Sequence, residues 1–201
     1  MSVRFADIND VKQMSYIHAR TWKKAYVQYI SLEYLKSISD EGWIPLFARA
    51  FTEKLHEAAV YETEGVITGT VTFGKGRKAA VCTMGAADPE DREEARTACG
   101  AQETLQAKAG CWRKEEEPEG EIISLYVLPQ FWSTGQGYAL TKFAVERIKK
   151  LGFKSCYLWV IRDNSRAVGF YRRFGFESTG ELAAVMLAGL PVIEEKYRLR
   201  L

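Results

Sequence analysis

The chain has 201 residues, of which 47% are hydrophobic and 27% are charged, a composition typical of one globular domain and not of a disordered or fibrous protein. Its formal net charge is only +2 and its basic residues are interspersed with acidic ones, so charge gives no reason to expect nucleic acid as a partner. The first residues lack an export signal and no apolar run approaches the roughly 18 residues of a membrane span, so we expect a cytoplasmic protein with no membrane partner.

The first half of the chain predicts a strand, a run of helices and then a hairpin. A short apolar start, "VRFA", precedes Asp7, a residue suited to capping a helix, and apolar residues follow at spacings of three from Ile8 to Ile17. "SLEYLKSI" and "GWIPLFARAFTEKL" continue in helical style. "AAVYETEGVITGTVTFG" then predicts two strands joined by a turn at Glu64 and Gly65, so the middle of the chain begins a sheet.

The segment from about residue 75 to 119 differs from the sequence on either side of it, because alanine, glycine and charged residues replace the large apolar ones. A helix is predicted inside it, with Asp88 as its cap, Pro89 in the first position and Gly110 as its end. Its apolar face is mostly alanine, so it needs a docking surface to be stable.

The last third of the chain alternates strands and helices. "EIISLYVLP" predicts a buried strand, and residues 139–151 show the apolar spacing of a helix that ends at Gly152. "KSCYLWVI" predicts the next strand, "NSRAVGFYRRFG" a short helix capped by Asn164 and ended by Gly175, and "GLPVIEEKYRLRL" a final strand. Two successive strand and helix units favour parallel pairing within a sheet that began as a hairpin, so the fold class is mixed α/β.

Metal chemistry is not expected from this sequence. The cysteines, none of them in a C-x-x-C pair, are Cys82, Cys99, Cys111 and Cys156. His18 and His56 lie far from them in sequence, so no spacing of a zinc site is present. We expect no metal and interpret the cysteines as reduced thiols in packing or surface positions.

The stretch "LPQFWSTGQGYAL" places Gly135 and Gly137 between a strand and a helix. The first N–H groups of a helix lack intrahelical partners and carry partial positive charge, so they can hold a phosphate that the glycines allow to approach. The pattern is neither a complete G-x-G-x-x-G nor a P-loop. On its own it is therefore consistent with either a phosphate site or a structural turn.

Two segments together favour the phosphate site. "LYVLPQFWSTGQGYALTKFAVERIKKLGF" followed by "YLWVIRDNSRAVGFYRRFGF" resembles the acyl-CoA-binding core of the GNAT superfamily of N-acetyltransferases, closely from about residue 119 to 176. The family's turn, Gln/Arg-x-x-Gly-x-Gly/Ala, corresponds to residues 132–137, with Trp132 in the first position as a departure. Because backbone N–H groups bind the coenzyme A pyrophosphate there, we expect binding to be retained.

The resemblance implies a single N-acetyltransferase domain of residues 1–201. Its fold would be a GNAT-like α/β fold: a mixed, mostly antiparallel central sheet with splayed parallel strands in the middle and helices on both faces. It implies acetyl-CoA as co-substrate, whose acetyl group is transferred to a primary amine by direct attack in a ternary complex. The coenzyme-binding residues that it implies are Leu125, Tyr126, Val127, Trp132, Ser133, Thr134, Gly135, Gln136, Gly137, Tyr138, Asn164 and Tyr171.

Two residues are candidates for the catalytic proton transfers. Glu121 resembles the catalytic glutamate of the histone-acetylating branch and is the candidate base; strand alternation would place it on the same face as Leu125. A solvated charge at the strand end is the alternative. Tyr171 occupies the position of the family's tyrosine that protonates the coenzyme thiolate, and packing with Phe170 and Phe174 is its alternative.

The acceptor site implied by the resemblance lies against the N-terminal helical region. Trp22, Tyr26 and Tyr29 offer aromatic surface that could hold a cationic amine, although core packing would explain them as well. His18 is interpreted as a packed or surface histidine and not as a base. We expect a small-molecule amine as acceptor, with a protein N-terminus or lysine, or a non-catalytic acyl-CoA sensor, as alternatives.

The resemblance also indicates how residues 75–119 relate to the family's usual chain length. Their removal would leave a connection of the length that family members commonly have, so the segment is interpreted as an insertion. We expect its helix to fold over the acceptor cleft or to support a dimer contact, with a mobile surface excursion as the alternative. The protein is expected to be a monomer or a homodimer.

Overall fold

A seven-stranded mixed sheet forms the centre of the computed structural model, which describes residues 2–77 and 118–201. In chain order its strands are β1 (Ser2–Phe5), β2 (Glu57–Thr63), β3 (Val66–Lys75), β4 (Gly120–Val127), β5 (Ser155–Ile161), β6 (Glu177–Leu187) and β7 (Leu190–Arg200). They lie in the order β1-β2-β3-β4-β5-β7-β6, and neighbours are antiparallel except β4 with β5. The predicted mixed, mostly antiparallel sheet is confirmed.

Helices pack on both faces of this sheet, as predicted. They are α1 (Val11–Ala25), α2 (Leu32–Ser37), α3 (Ile44–Thr52), α4 (Gln136–Lys150) and α5 (Ser165–Phe174), with 3₁₀ turns at Ile8–Asp10 and Pro129–Phe131. On one face α4 buries Leu140 and Ile148; on the other, α1 and α3 bury Ile17 and Phe47. The apolar spacing of each helix therefore matches the side that it buries.

The hairpin of β2 and β3 is confirmed where the sequence predicted it. Glu64 and Gly65 both have positive φ, 52° and 78°, as in a type I′ turn, whose twist matches that of the flanking strands. Strand β6, which pairs with β7 at one edge of the sheet, was not predicted from the sequence. An edge strand buries few side chains, so its sequence carries a weak alternating pattern.

The two central strands β4 and β5 separate soon after they begin. Among the described residues their parallel ladder holds two pairs, Gly120 with Cys156 and Glu121 with Tyr157. At this point Gly120 lies against α4 so closely that a Cβ would come within 2.2 Å of Ile148 Cγ2, and glycine permits that approach. Beyond the ladder the sheet opens between β4 and β5, as the resemblance implied.

The helix predicted near residues 88–110 lies outside the described residues. Three of the cysteines interpreted as reduced thiols in packing or surface positions also lie outside them: Cys82, Cys99 and Cys111. Lys75 at the end of β3 is the cross-strand partner of Gly120 at the start of β4. The Gly76 N–H donates to the Glu119 carbonyl over 2.7 Å. Residues 78–117 therefore connect two adjacent antiparallel strands.

Candidate active site

A cavity of about 1000 Å³ lies where β4 and β5 separate. It extends from the turn before α4, past the open ends of β4 and β5, to the turn that follows α1. The predicted site residues that line it are Trp22, Tyr26, Tyr29, Leu125, Tyr126, Val127, Trp132, Ser133, Gly135, Gly137, Tyr138, Asn164 and Tyr171. The fold thus brings together residues that are up to about 150 positions apart in the chain, whereas Glu121, Thr134 and Gln136 do not line the cavity.

The backbone of β4 presents N–H groups to this cavity. The Leu128 N–H donates to the Thr68 carbonyl on the β3 side over 2.9 Å. Because successive N–H groups of a strand point in opposite directions, those of Val127 and Leu125 point away from β3, towards the gap beside β5. Both residues line the cavity, which is where the resemblance placed the thioester amides.

The N-terminus of α4 forms one end of the cavity. Gly135 precedes the helix with φ of 88°, and no side chain caps the helix by a hydrogen bond. A Cβ at Gly135 would meet nothing within 4 Å, so the space in front of these amides is open. Uncapped N–H groups and the helix dipole fit an anionic group such as a pyrophosphate.

Two polar side chains of the predicted turn point elsewhere. Gln136 is buried and its Oε1 accepts from the Thr68 hydroxyl over 2.8 Å. The Thr134 hydroxyl donates to the Phe131 carbonyl over 2.7 Å. At these two positions only the backbone can serve a ligand, which agrees with a site that depends on N–H groups.

Trp132 and Arg166 together cover the same turn. The indole Nε1 of Trp132 donates to the Val127 carbonyl over 2.7 Å, which fixes the ring beside the cavity. Arg166 of α5 lies over that ring, 4.3 Å from Cζ to the centroid, and its Nη2 donates to the Ser133 hydroxyl over 3.3 Å. Arg166 was not predicted from the sequence as a site residue. Its position two residues after the Asn164 cap, at the start of a helix that borders the site, could have indicated it.

Asn164 and Tyr171 bring α5 to the gap between the strands. Asn164 Oδ1 accepts from the Ala167 N–H over 3.1 Å, so the residue caps the helix while it lines the cavity. Tyr171 is buried, with its ring packed against Phe170 and Phe176. Burial, with Tyr126 and Cys156 acting in the same direction, raises the pKa of Tyr171, so its hydroxyl keeps its proton in neutral and mildly alkaline solution.

The structure corrects the predicted placement of Glu121. A bulge interrupts the register of β3 and β4, so Glu121 pairs with Gly74 but Leu125 pairs with Val71. Gly74 and Val71 lie on opposite faces of β3, and paired residues share a face, so the expectation that Glu121 and Leu125 share one is wrong. The extra residue in β4 inverts the alternation on which the prediction relied.

Glu121 is also held in an ion pair. It is 2% exposed, its carboxylate accepts from the guanidinium and the backbone N–H of Arg77, and it accepts from the Tyr157 hydroxyl over 3.1 Å. The alternative of a solvated strand-end charge is therefore wrong as well. These contacts direct the carboxylate to Arg77 and Tyr157, and Glu121 does not line the cavity.

Two of the three predicted acceptor aromatics, Trp22 and Tyr26, contact Tyr126 at the other end of the cavity. Trp22 Nε1 donates to the Tyr126 hydroxyl over 3.0 Å, and the hydroxyls of Tyr26 and Tyr126 lie 3.2 Å apart. The ring of Tyr29 packs edge-on against Tyr26. Burial raises the pKa of Tyr26 and of Tyr126, so this group of hydroxyls is neutral and supplies hydrogen bonds, not charge.

His18 lies behind these aromatics and does not line the cavity. Its ring contacts Trp43, Phe47 and Tyr126, and burial lowers its pKa to about 3. It is a neutral packing residue, as the sequence analysis interpreted it.

Glu194 of β7 is a cavity residue that the sequence analysis missed. Its side chain makes no hydrogen bond and no ion pair with the described part of the chain. Burial raises the pKa of its carboxyl, Glu121 adds to that effect and Arg77 opposes it. Two successive glutamates, Glu194 and Glu195, gave no signal as to which faces inward.

Within residues 2–77 and 118–201, no three His, Cys, Asp or Glu side chains come together in a way that could hold a metal ion. Cys156 is fully buried, and burial raises the pKa of its thiol, which makes it a packing residue. In the same two ranges, each helix is too short or too polar to cross a bilayer.

The splayed strands, the uncapped N-terminus of α4 and the tyrosine in the gap are the features that the resemblance implies for the acetyltransferase class. The model of the acetyltransferase (GNAT) family matches residues 22–176, and the chain belongs to that family. The resemblance found in the sequence is thereby confirmed.

Relatives and solved structures agree with this assignment. The chain is similar to the N-acetyltransferase YuaI of Bacillus subtilis, with 22% identity over 181 residues, covering 90% of this chain and 83% of the relative. Its fold is similar to that of PaiA N-acetyltransferase from Thermoplasma acidophilum in complex with coenzyme A, with 17% identity and a TM-score of 0.61 over 100% of both chains. The protein yncA of Salmonella typhimurium, solved with its cofactor acetyl-CoA, has 17% identity and a TM-score of 0.59 over 99% of this chain and 92% of the other.

Proposed function

We propose that the protein transfers the acetyl group of acetyl-CoA to the nitrogen of a small primary amine, by direct attack within a ternary complex. The observation that carries the proposal is one continuous cavity, with the amides of the α4 N-terminus at one end and the Tyr26 and Tyr126 hydroxyls at the other. A single cavity allows both substrates to meet without a covalent acyl-enzyme. Holding them together would supply much of the rate.

The backbone would hold the coenzyme. The N–H groups at the start of α4, with Arg166 beside them, would bind the pyrophosphate, and Asn164 would lie along the pantetheine arm. The N–H groups of Leu125 and Val127 would donate to the acetyl oxygen, which gains negative charge in the transition state. These donors are fixed by the strand and the helix, so little reorganisation is needed when charge develops.

Tyr171 would act as the acid that protonates the departing thiolate. Its raised pKa keeps the proton on the hydroxyl until a strongly basic thiolate forms. Within the described residues the Tyr171 hydroxyl makes no hydrogen bond, and the residue lines the cavity, so the group is available to a ligand.

Thiol release tests the proposal directly. The protein is incubated with acetyl-CoA and, in turn, 1,4-diaminobutane, phenethylamine, lysine, glucosamine and a peptide with a free N-terminus, while calorimetry measures coenzyme A binding. Amine-dependent thiol release with one or more of the small amines is expected. Release with the peptide alone would indicate a protein acceptor, and coenzyme binding without any release would favour the sensor alternative.

A further inference from the structure

We infer that Glu194 is the residue that binds the ammonium group of the acceptor and removes its proton, in place of Glu121. The inference rests on the proposed function and adds a residue and a substrate class to it. The acceptor is a primary amine that is cationic in solution, and its charge is met by the Glu194 carboxylate.

The position of Glu194 is set by two neighbouring strands. On β7 it pairs with Ile161 at the end of β5 and with Ala183 of β6. Ile161 lines the cavity too, so Glu194 lies beside the open end of β5. Because β7 is hydrogen-bonded on both sides, the backbone of Glu194 is fixed and its carboxylate needs no loop to position it.

Glu194 differs from the other glutamates of this part of the sheet in having no partner within the described residues. Glu121 is paired with Arg77. Glu119 is paired with Arg198 over 2.7 Å and with Lys196 over 3.4 Å. Glu195 accepts from the Ser178 hydroxyl.

A half-buried carboxylate without a partner is costly. The nearby cations Arg77 and Lys196 already pair with other glutamates, so the described residues provide no separate counter-ion for an ionised Glu194. A cation that enters the cavity would provide one. The side chain is therefore placed to pair with a ligand instead of with the fold.

The surroundings of Glu194 suit an ammonium group. Trp22, Tyr26 and Tyr126 line the same cavity and offer ring faces and neutral hydroxyls, which favour a cation but cannot accept its proton at neutral pH. Asp163 is a second carboxylate of the lining, but it is exposed and solvent would screen its charge. Glu194 is therefore the carboxylate that can act on a bound amine inside the cavity.

The proton transfers balance in this scheme. The Glu194 carboxylate takes one proton from R–NH₃⁺, which leaves a neutral amine with a free lone pair. Its nitrogen attacks the thioester carbonyl carbon, the new C–N bond forms and the C–S bond breaks. Tyr171 gives its proton to the thiolate and regains one from the acetylated nitrogen, and the proton on Glu194 passes to solvent.

The environment of Glu194 makes its carboxyl a better base than a free glutamate. Burial raises its pKa, Glu121 acts in the same direction and Arg77 opposes both. The titratable and charged groups that face or flank it are Tyr26, Arg77, Glu121, Tyr126, Asp163, Tyr171 and Lys196. Below its folded pKa the carboxyl is neutral and cannot take a proton, so kcat/KM should fall on the acid side of the pH profile.

Three variants of adjacent glutamates test the inference, with the fastest amine of the panel as probe. Glu194→Gln should lower kcat/KM for the amine by about 10²-fold or more and remove the acid limb of the pH profile, with coenzyme A affinity unchanged. Glu194→Asp, which keeps a shorter carboxylate, should retain the acid limb at reduced kcat. Glu195→Gln is the matched control on the same strand, and its kcat/KM and pH profile should equal those of the wild type.

Further outcomes separate this inference from the proposed function. If the wild type acetylates an amine and Glu194→Gln does so with the same kcat/KM, the proposed function stands and the inference is wrong. An acid limb that disappears in Glu121→Gln and persists in Glu194→Gln would return the role of base to Glu121. No turnover by the wild type with any amine would remove the proposed function itself. If Glu194→Gln does not fold, loss of the acid limb in a folded Glu194→Asp would also contradict the inference.

Discussion

The guanidinium of Arg166 lies 4.3 Å from the centroid of the Trp132 ring and 3.3 Å from the Ser133 hydroxyl. Trp132 occupies the turn position where the family usually has Gln or Arg, so the side chain in the turn itself carries no charge. Here a cation reaches the turn from α5 and stacks on the tryptophan. The positive charge beside the N-terminus of α4 is thus supplied by a different element of the fold.

Arg166→Gln should weaken coenzyme A binding about tenfold, because it removes one charge-assisted contact of about 1.4 kcal/mol from the phosphate end of the cavity. Calorimetry at low and high salt measures this, and the wild type should lose more affinity with added salt than the variant does. Arg172→Gln on the same helix is the control, since Arg172 is exposed and does not line the cavity. Equal affinities in all three proteins would contradict a role for Arg166.

Substitutions at Gly135 should separate backbone strain from charge. Its φ of 88° makes any other residue strained by about 1–2 kcal/mol, but open space surrounds the position of a Cβ. Gly135→Gln and Gly135→Glu share this strain and differ in charge alone. Coenzyme A binding measured by calorimetry should be weakened in the first and abolished in the second, where a carboxylate faces the pyrophosphate. Similar affinities for the two variants would show that no phosphate lies at this turn.

Tyr171→Phe should lower kcat at least about tenfold while coenzyme A affinity changes little. The substitution removes the hydroxyl and keeps the ring contacts with Phe170 and Phe176. Thiol release gives kcat and calorimetry gives the affinity. Tyr61→Phe in β2, outside the cavity, is the matched control. An unchanged kcat in Tyr171→Phe would take the acid role away from Tyr171.

The features that the sequence predicted are those with local causes. The turn before α4 depends on Gly135 and on the helical spacing that follows it, and the α5 cap depends on Asn164; both are encoded within a few residues. The hairpin turn at Glu64 and Gly65 is local in the same way. These elements appear where the sequence placed them.

The features that could not be predicted from the sequence depend on contacts between distant segments of the chain. The bulge in β4 appears only when its register with β3 is known, so the face of Glu121 was predicted wrongly. Glu194 reaches the cavity because β7 lies between β5 and β6, an order that no local pattern reveals. Arg166 became visible as a partner of Trp132 only once α5 was placed beside the turn.

Asp10 should stabilise the fold in a pH-dependent way. Arg4 donates to both of its carboxylate oxygens, over 2.7 and 2.9 Å, and the Asp7 N–H donates to it over 2.9 Å. The hydrogen bonds from Arg4 lower the pKa of the Asp10 carboxyl, burial opposes this and the Asp7 N–H adds to it. Because the folded pKa lies below the unfolded one, the stabilisation is complete above the unfolded value of about 3.9 and is lost as the pH falls through the folded value.

Asp10→Asn should therefore lower the free energy of unfolding by about 1–2 kcal/mol at pH 7, because Arg4 loses its charge-assisted hydrogen bonds to Asp10; the loss is moderate, since the Arg4 side chain is 40% exposed and keeps its ion pair with Glu62. At strongly acidic pH, such as pH 2, the difference from the wild type should be smaller, because the wild-type carboxyl gains a proton as the pH falls through its folded pKa. Urea unfolding at both pH values measures this. Glu41→Gln is the control, since its pair with Lys12 is exposed with 3.9 Å between the charged atoms and should contribute little at either pH. A loss in Asp10→Asn that is equally large at both pH values would mean that shape and not charge explains the contribution of Asp10.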